Sequence, residues 1–545
     1  MFDKIIFFAF LIALPVPSYA DSPPLNIYLA DSPYPMPHVD SSASGFSRFP
    51  GPDLGDSYQL TDHNVIFKPV GFGNGYSFLY SDKYSDGRRA IYGGGSDRVF
   101  KLDADTLETI SSYSLREGYF SSDREVSNFF NTADILIQAG IKDSSKQMHF
   151  FDHVYRTHIP ALRLGSGAVY KFLTKNNELF IAVKDSSSGS IYIKVFGDKE
   201  FDDFESPLVL KRSVALPIDK SNNPLPMAMS LTYDGNIVVV TNDGQIFVLN
   251  QDLEKYDSLV LPEAKALSPD AEWMGGVVRN TISLDDKGGI YIVSSDFLHR
   301  VQWTGKNLTL DPRYGAWSVP YEAGENGSGT TPTPIGWGEG NDLLVVMADG
   351  VNGVNVYWRD EIPDDWQGIP NHPRRLAGTI PLTFGYDTSD RLRIEASPVA
   401  YGYGFFWPND APKVEPQWQG SYDRQMFANY TALHFPQYPV HGGVKYHWNS
   451  IKRELEVAWT THLSLAPTIC TPNIKKFLYC IGRRDGQYSV EVLDWGSGES
   501  VRYYLLGESL RFNATASNTR VTDKYIEFSS LGSAIVRVNL EKIDK

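Results

Sequence analysis

The sequence predicts an all-β chain folded as a single eight-bladed β-propeller, and three observations carry that prediction. Units of three or four short strands recur at a spacing of about 40–60 residues. Asp-Gly, Gly-Gly and Asn-Asp-Gly clusters separate the strands, as tight hairpins require. No charged or Pro/Ser-rich tract of linker length interrupts the series, so one closed ring is favoured over two β-domains joined by a linker.

The pattern is plainest from Pro226, where PMAMSLTYDG, NIVVVTN, GQIFVLN and KYDSLVL follow one another. It returns from Val278 (VRNTISLDD, GGIYIVSS, FLHRVQW), from Gly329 (TTPTPIGWG, DLLVVMAD, VNVYWRD, LAGTIPLTF) and from Ser464 (SLAPTICTP, FLYCIGRRDG, YSVEVLDW, VRYYLL). Blades are expected near 75–116, 165–217, 225–262, 274–320, 328–385, 391–462 and 463–507, with a last unit over 511–540. That last unit lacks a fourth strand, and SYQLTDHNVIFKP (57–69) is placed to supply it and close the ring. Seven blades is the alternative if 391–462 is irregular.

Before the ring, Lys4, the apolar run Ile5–Pro17 and Ser18-Tyr19-Ala20 form a signal-peptide layout with cleavage before Asp21. The run is shorter than the roughly 20 residues a span requires. The expected organisation is a signal peptide (1–20), an irregular N-terminal segment lying over one face (21–56) and the propeller (57–545). The mature chain is expected to be exported, periplasmic or secreted, with no membrane span. An insertion at 117–164 interrupts the period. Val126, Phe129, Phe130, Ala133 and Ile135 predict a helical stripe there, with Ser121 or Ser122 as its cap.

Composition bounds the function. Lys+Arg total 50 and Asp+Glu 65, a net charge of −15, which argues against a nucleic-acid partner. Hydrophobic residues at 42% with 13% aromatics supply a substantial core. The two cysteines, Cys470 and Cys480, flank a turn-like TPN and are expected to face each other on neighbouring strands as a disulfide, a free buried pair being the alternative.

Two segments, LDADTLETISSYSL (102–115) and LDWGSGESVRYYLL (493–506), resemble the blade repeat of the quinoprotein-like (PQQ-type) propeller superfamily, although Ser111 and Arg502 stand where that repeat carries a docking tryptophan. Residues 280–305, 327–350 and 359–370 are similar to an uncharacterised group of exported bacterial propeller proteins. The resemblance implies the fold. It does not carry the dehydrogenase chemistry, because the adjacent cysteine pair of the quinone-dependent enzymes and a haem-attachment C-x-x-C-H are both missing.

In a propeller the first strand of each blade lines the channel. Aligning those strands puts Met227, Asn280, Thr331, Glu395 and Ser464 at comparable positions, with Met229, Ile282, Thr333 and Ser397 in the next layer. These are the candidate ligand-binding residues. Glu395 is also the candidate catalytic acid or base, since a lone carboxylate in a desolvated channel has a raised pKa, unless Arg393 or Arg279 pairs with it. His149 and His153, spaced i, i+4 in HFFDH, are a candidate metal pair if that stretch is helical. His38 and Asp40 in YPMPHVDSS are candidates to drape over the channel mouth. Nucleophile-elbow and nucleotide-loop motifs do not occur in a suitable setting, and Asp103-Ala104-Asp105 and Asp285-Asp286 read as turns. The favoured function is binding of a small molecule or exported partner at the channel mouth. The alternative is a channel-sited hydrolase, lyase or cofactor-dependent oxidoreductase, with no cofactor assigned.

Overall fold

The computed structural model describes residues 21–540 apart from 117–119, 165–168, 186, 263–275, 325–326, 339–340, 352, 387–393, 395, 411, 413, 417, 419–421, 439, 441, 467–469 and 515–516, with the side chains of 158–164, 422–423 and 426–427 also outside the description. Eight sheets of four or more strands follow one another along the chain, with antiparallel neighbours throughout except for one short strand added in parallel at the edge of blade 7. They are the blades of one propeller. The inner strands, blades 1 to 8, are Leu79–Tyr80, Phe172–Leu173, Pro226–Leu231, Ser283–Leu284, Thr333–Ile335, Val399–Tyr401, the pair Ser464–Leu465 and Thr471–Pro472, and Arg520–Val521. The seven-blade alternative fails because residues 391–462 do form a regular sheet, with strands Val399–Tyr401, Gly404–Pro408, Gly443–Asn449 and Glu454–Thr461 in order.

Closure is by exchange of chain ends. Val65–Pro69 runs antiparallel to Ala534–Asn539, from Val65 opposite Val538 to Pro69 opposite Ala534, and is the outer strand of blade 8. Just before it, Tyr58–Gln59 adds in parallel to the outer edge of blade 7.

The period-two alternation of strand side chains explains why the blades stack. In Leu344–Ala348 of blade 5, Leu344, Val346 and Ala348 meet Phe405, Trp407 and Tyr446 of blade 6. Val345 and Met347 point the other way, to Tyr291 and Val293 of blade 4. The same arrangement recurs until Ile535 of blade 8 packs with Phe78 and Ile91 of blade 1. Middle strands such as Ile237–Thr241 are therefore buried at every position and read as unbroken apolar runs, whereas the outer strand Tyr256–Val260 alternates. Each large aliphatic side chain so buried contributes about 1.5–3 kcal/mol.

Helices gather on one face. α1 (Asp123–Gly140) and α2 (Ser144–Leu164) join blade 1 to the start of blade 2, and α3 (Tyr422–Thr431) sits between the second and third strands of blade 6. In an antiparallel four-strand blade these connections share the face where inner strands begin, here the upper face. Ser122 caps α1: its Oγ accepts from Glu125 N at 3.2 Å, and Glu125 returns a carboxylate to Ser122 N at 2.7 Å. The buried stripe is Val126, Phe129, Phe130, Ala133 and Ile137. Ile135 is 70% exposed, because two residues advance a helix by about 200° and carry it off the stripe of Ala133. The stripe meets Phe150, Phe151 and Val154 of α2 and Phe435 beyond α3. Among the described residues no helix is long and apolar enough to cross a membrane.

Cys470 and Cys480 form a disulfide between the first two strands of blade 7, with Cα atoms 4.5 Å apart, the separation of directly opposed antiparallel residues.

Candidate functional site

Residues 21–50 close the lower mouth of the ring. The segment has no regular strand, yet it bonds to all eight blades near the ends of their inner strands. Tyr80 N and Leu173 N donate to the carbonyls of Tyr34 and Pro35 at 2.9 and 2.8 Å in blades 1 and 2. Asn26 Nδ2 donates to Leu231 O at 3.0 Å in blade 3. Leu284 N and Ala400 N donate to Ser41 O and Ser44 O, each at 2.8 Å, in blades 4 and 6, and Thr333 Oγ1 to Ala43 O at 3.4 Å in blade 5. Ser47 N reaches Pro472 O at 2.8 Å in blade 7, and Tyr34 Oη accepts from Asn518 Nδ2 at 2.8 Å in blade 8. Inner strands expose one unpaired backbone edge to the channel, and this segment uses it.

At the centre of the segment the chain turns back on itself. His38 and Val39 have φ of 61° and 75°, and His38 O accepts from Asp40 N at 3.0 Å and Gly45 N at 2.9 Å. Two consecutive non-glycine residues in the left-handed region, one of them β-branched, cost of order 1–3 kcal/mol each and persist only where the surroundings enforce them. The turn buries His38 to 3% exposure against Tyr170, ring centroids 6.5 Å apart and 22° between planes. Burial holds the imidazole down at about 4, and Nδ1 has no hydrogen-bond partner among the described residues. Asp40 accepts from Ser42 N at 2.9 Å, Ser44 N at 3.2 Å and Ser44 Oγ; burial raises its pKa against these bonds.

Above this turn the channel wall is polar and carries two buried cations. Lys171, at the head of blade 2, donates from Nζ to Gly94 O at 2.9 Å. Gly94 has φ of 106° and a Cβ there would lie 2.1 Å from Arg98 O, so only glycine presents its carbonyl this way. Burial, then the charge of Arg520, brings Lys171 down to about 7. Arg520, 1% exposed, donates from Nε to Phe78 O at 3.1 Å and from Nη1 to Asn518 O at 3.0 Å, and lies on the Phe78 ring 3.7 Å from its centroid. Tyr170 donates its hydroxyl to Asn280 Oδ1, and Asn280 Nδ2 donates to Gly329 O, tying blades 2, 4 and 5 together at the head of the channel. Both Tyr170 and Asn280 remain half-buried.

The sequence-derived candidates divide. Asn280 and Thr331 lie at the heads of their inner strands, Thr331 fully buried. Ser397 Oγ donates to Thr331 Oγ1 at 2.6 Å, so Ser397 and not Glu395 is the residue of blade 6 level with Thr331. The ladder gives the reason: Tyr401 opposite Gly404 matches Ile335 opposite Leu344, and four residues earlier stand Ser397 and Thr331. Glu395, like Arg393, lies outside the described residues. Met227 sits at a register shift between Pro226 and Ala228 and packs with Val238, Val278 and Ile282 in the seam of blades 3 and 4. Met229 faces the opposite seam, so the two do not form successive layers of one face. Ser464 lies opposite Arg483, eight residues before Pro472, in the first of the two short inner strands of blade 7.

The histidine pair does not converge. Both residues are on α2, but His149 is exposed while His153 Nε2 lies 3.2 Å from Phe129 O and its ring stacks on Phe129 at 4.7 Å. Among the described residues no group of three or more His, Cys, Asp or Glu is placed to hold a metal ion. Asp103 and Asp285 each accept backbone N–H groups within their own hairpin turns. Lys171 and Arg520 escaped sequence analysis. The signal they left is a single cation inside a short inner strand, in VYKFL and NTRVT.

No protein-family model matches the chain. It is 26% identical over 498 residues to an uncharacterised protein of the archaeon Archaeoglobus fulgidus, covering 89% of this chain and 83% of that one. Among solved structures it is similar to the β-propeller domain of Myceliophteria thermophila Cps50 (Swd1), at 9% identity and a TM-score of 0.35, covering 66% of this chain and 92% of the domain. The strand pairing of the eight blades, independent of either relative, defines the architecture.

Proposed function

We propose that this protein is an exported β-propeller that binds a small molecule in its central channel, entering from the helix-bearing face. The observation that carries the reading is His38, buried in the turn that closes the lower mouth, with no hydrogen-bond partner for Nδ1 among the described residues. An unpaired buried donor or acceptor costs about 1–3 kcal/mol, and such a group is explained when atoms of another molecule complete its bonds. The lower mouth, sealed by residues 21–50, leaves the upper face as the approach, past Tyr170, Asn280, Thr331 and Ser397. The catalytic alternative turns on Glu395, outside the described residues, so binding is the reading the observed geometry favours.

Export rests on the signal-like residues 1–20, removed before Asp21, and the disulfide agrees with an oxidising compartment. Membership of the quinoprotein-like superfamily is likewise a proposal, resting on residues 102–115 and 493–506.

The test is a thermal-shift screen of metabolites on the mature chain, with mass spectrometry of molecules released on denaturation. A bound compound is expected to lose affinity at least tenfold in His38→Gln. A compound that binds His38→Gln and the native chain equally overturns the channel seat.

A further inference from the structure

We infer that Lys101 and Asp198 form an intramolecular isopeptide bond, a covalent cross-link between blades 1 and 2 made by condensation of the lysine amine with the aspartate carboxylate. The inference is independent of the channel-binding reading, because the pair lies in the seam between two blades.

Among the described residues, the ion pairs buried on both sides are Arg98–Asp97, Arg300–Asp285, Arg537–Glu527 and Lys101–Asp198. Arginine supplies the cation in all but the last, and a guanidinium keeps its proton in proteins, so it does not act as a nucleophile. Other Lys–carboxylate pairs, such as Lys287–Asp360 and Lys452–Glu456, have lysines more than half exposed to water. Lys101–Asp198 joins a nucleophilic amine to a carboxylate in a dry site.

Lys101 belongs to the third strand of blade 1 (Arg98–Asp103), opposite Tyr92 and on the same face. Asp198 ends the third strand of blade 2 (Ile191–Asp198). Nζ lies 2.6 Å from Asp198 Oδ1, with the two side chains 0% and 6% exposed. The Tyr84 and Phe204 rings wall the amine, their centroids 4.8 and 5.6 Å away. Two hydroxyls complete the site: Tyr84 Oη donates to Asp198 Oδ2 at 2.7 Å and Tyr92 Oη to Oδ1 at 3.3 Å.

This arrangement favours condensation. A charge pair held out of water is costly, and proton transfer from ammonium to carboxylate leaves a neutral amine beside a neutral acid. Burial pushes both groups that way. It lowers the pKa of Lys101 against the pull of Asp198, Asp203 and Glu205, and raises that of Asp198 against Lys101 and the two tyrosines. A desolvated lysine amine is an active nucleophile, and groups held in contact react at effective concentrations of about 10⁵–10⁸ M. Nζ attacks Cγ, and the charge developing on Oδ2 is met by the Tyr84 hydroxyl, placed as an oxyanion donor. The Cγ–Oδ1 bond breaks as the Cγ–Nζ bond forms. Oδ1 departs as water with two of the three ammonium protons, and the third remains as the amide N–H. Nothing is oxidised or reduced, and the dry pocket opposes hydrolysis.

The test is intact-mass spectrometry of the folded mature chain, denatured with its disulfide reduced, followed by proteolysis and fragment sequencing. A mass one water below that calculated from the observed N-terminus is expected, with a branched peptide joining the segment of Lys101 to that of Asp198. Lys101→Arg keeps the charge and should show no water loss. Tyr84→Phe should slow the appearance of the branched peptide after pulse-labelled synthesis at least tenfold. Water lost elsewhere, as a succinimide at an Asp-Gly step such as Asp86-Gly87, persists in Lys101→Arg and overturns the assignment. A full calculated mass with no branched peptide overturns it as well. If Lys101→Arg fails to fold, the presence or absence of the branched peptide in the native chain decides alone.

Discussion

Arg537→Met tests whether the seam that closes the ring depends on a buried ion pair. Arg537 and Glu527 are 1% and 0% exposed and 2.6 Å apart. Arg537 belongs to blade 8, yet Nη1 donates to Asp105 O at 2.8 Å and Nη2 to Ala104 O at 2.6 Å, both in blade 1. Removing it leaves the Glu527 carboxylate buried with the Tyr80 hydroxyl as its remaining donor. Breaking such a pair from one side costs about 3–5 kcal/mol. With an unfolding entropy of about 2.1 cal/mol/K per residue, the 545 residues give about 1.1 kcal/mol/K, so Tm should fall by about 3–4 °C. Replacing both partners, as Glu527→Leu/Arg537→Met, should cost less than the sum of the single changes, because no uncompensated charge remains. Urea unfolding followed by tryptophan fluorescence reads both quantities. A single Arg537→Met that costs less than about 1 kcal/mol, or a strictly additive double variant, refutes the reasoning.

Further outcomes follow from the same physics. The His38 imidazole, held at about 4 against an ordinary 6.5, binds fewer protons folded than unfolded between those values. Stability should therefore be lost as pH falls from 6.5 to 4, by about 3 kcal/mol at 1.36 per unit, and His38→Gln should remove that slope. Lys171, at about 7 against 10.5, has the same sign one window higher: stability relative to Lys171→Gln should rise as pH increases from 7 towards 10, and be level below 7. Reducing the Cys470–Cys480 bond, which closes a loop with sequence separation 10, should cost about 2–3 kcal/mol, read as the urea midpoint with and without dithiothreitol. Ser122→Ala should remove the α1 cap at about 1 kcal/mol, seen as faster amide exchange in the first turn of α1.

The propeller itself was legible in the sequence because each blade is a local object. Hairpin turns and apolar runs such as IVVVT and LLVVMA mark strands buried on both faces, and those signals need no knowledge of distant residues. The closing strand was legible for the same reason: an orphan strand at one end and an incomplete sheet at the other. The disulfide followed from a hairpin with one cysteine on each side. Where the local rule was stretched, it failed by small amounts. Ile135 was placed on a stripe that Ile137 completes, Glu395 was aligned where Ser397 stands, and Ser464 was aligned too early, because bulges and long inner connections shift a register that a single sequence does not display.

The site was decided by tertiary structure. Nothing local in the segment 21–50 announces a stopper that touches eight blades, since its partners lie up to several hundred residues away and each contributes one or two bonds. Lys171 and Arg520 are separated by more than three hundred residues, and only closure of the ring brings blades 8 and 2 to either side of blade 1. Local periodicity determines which residues form strands. Which polar groups end up buried without a partner depends on where those strands converge, and that is set by the geometry of the closed ring.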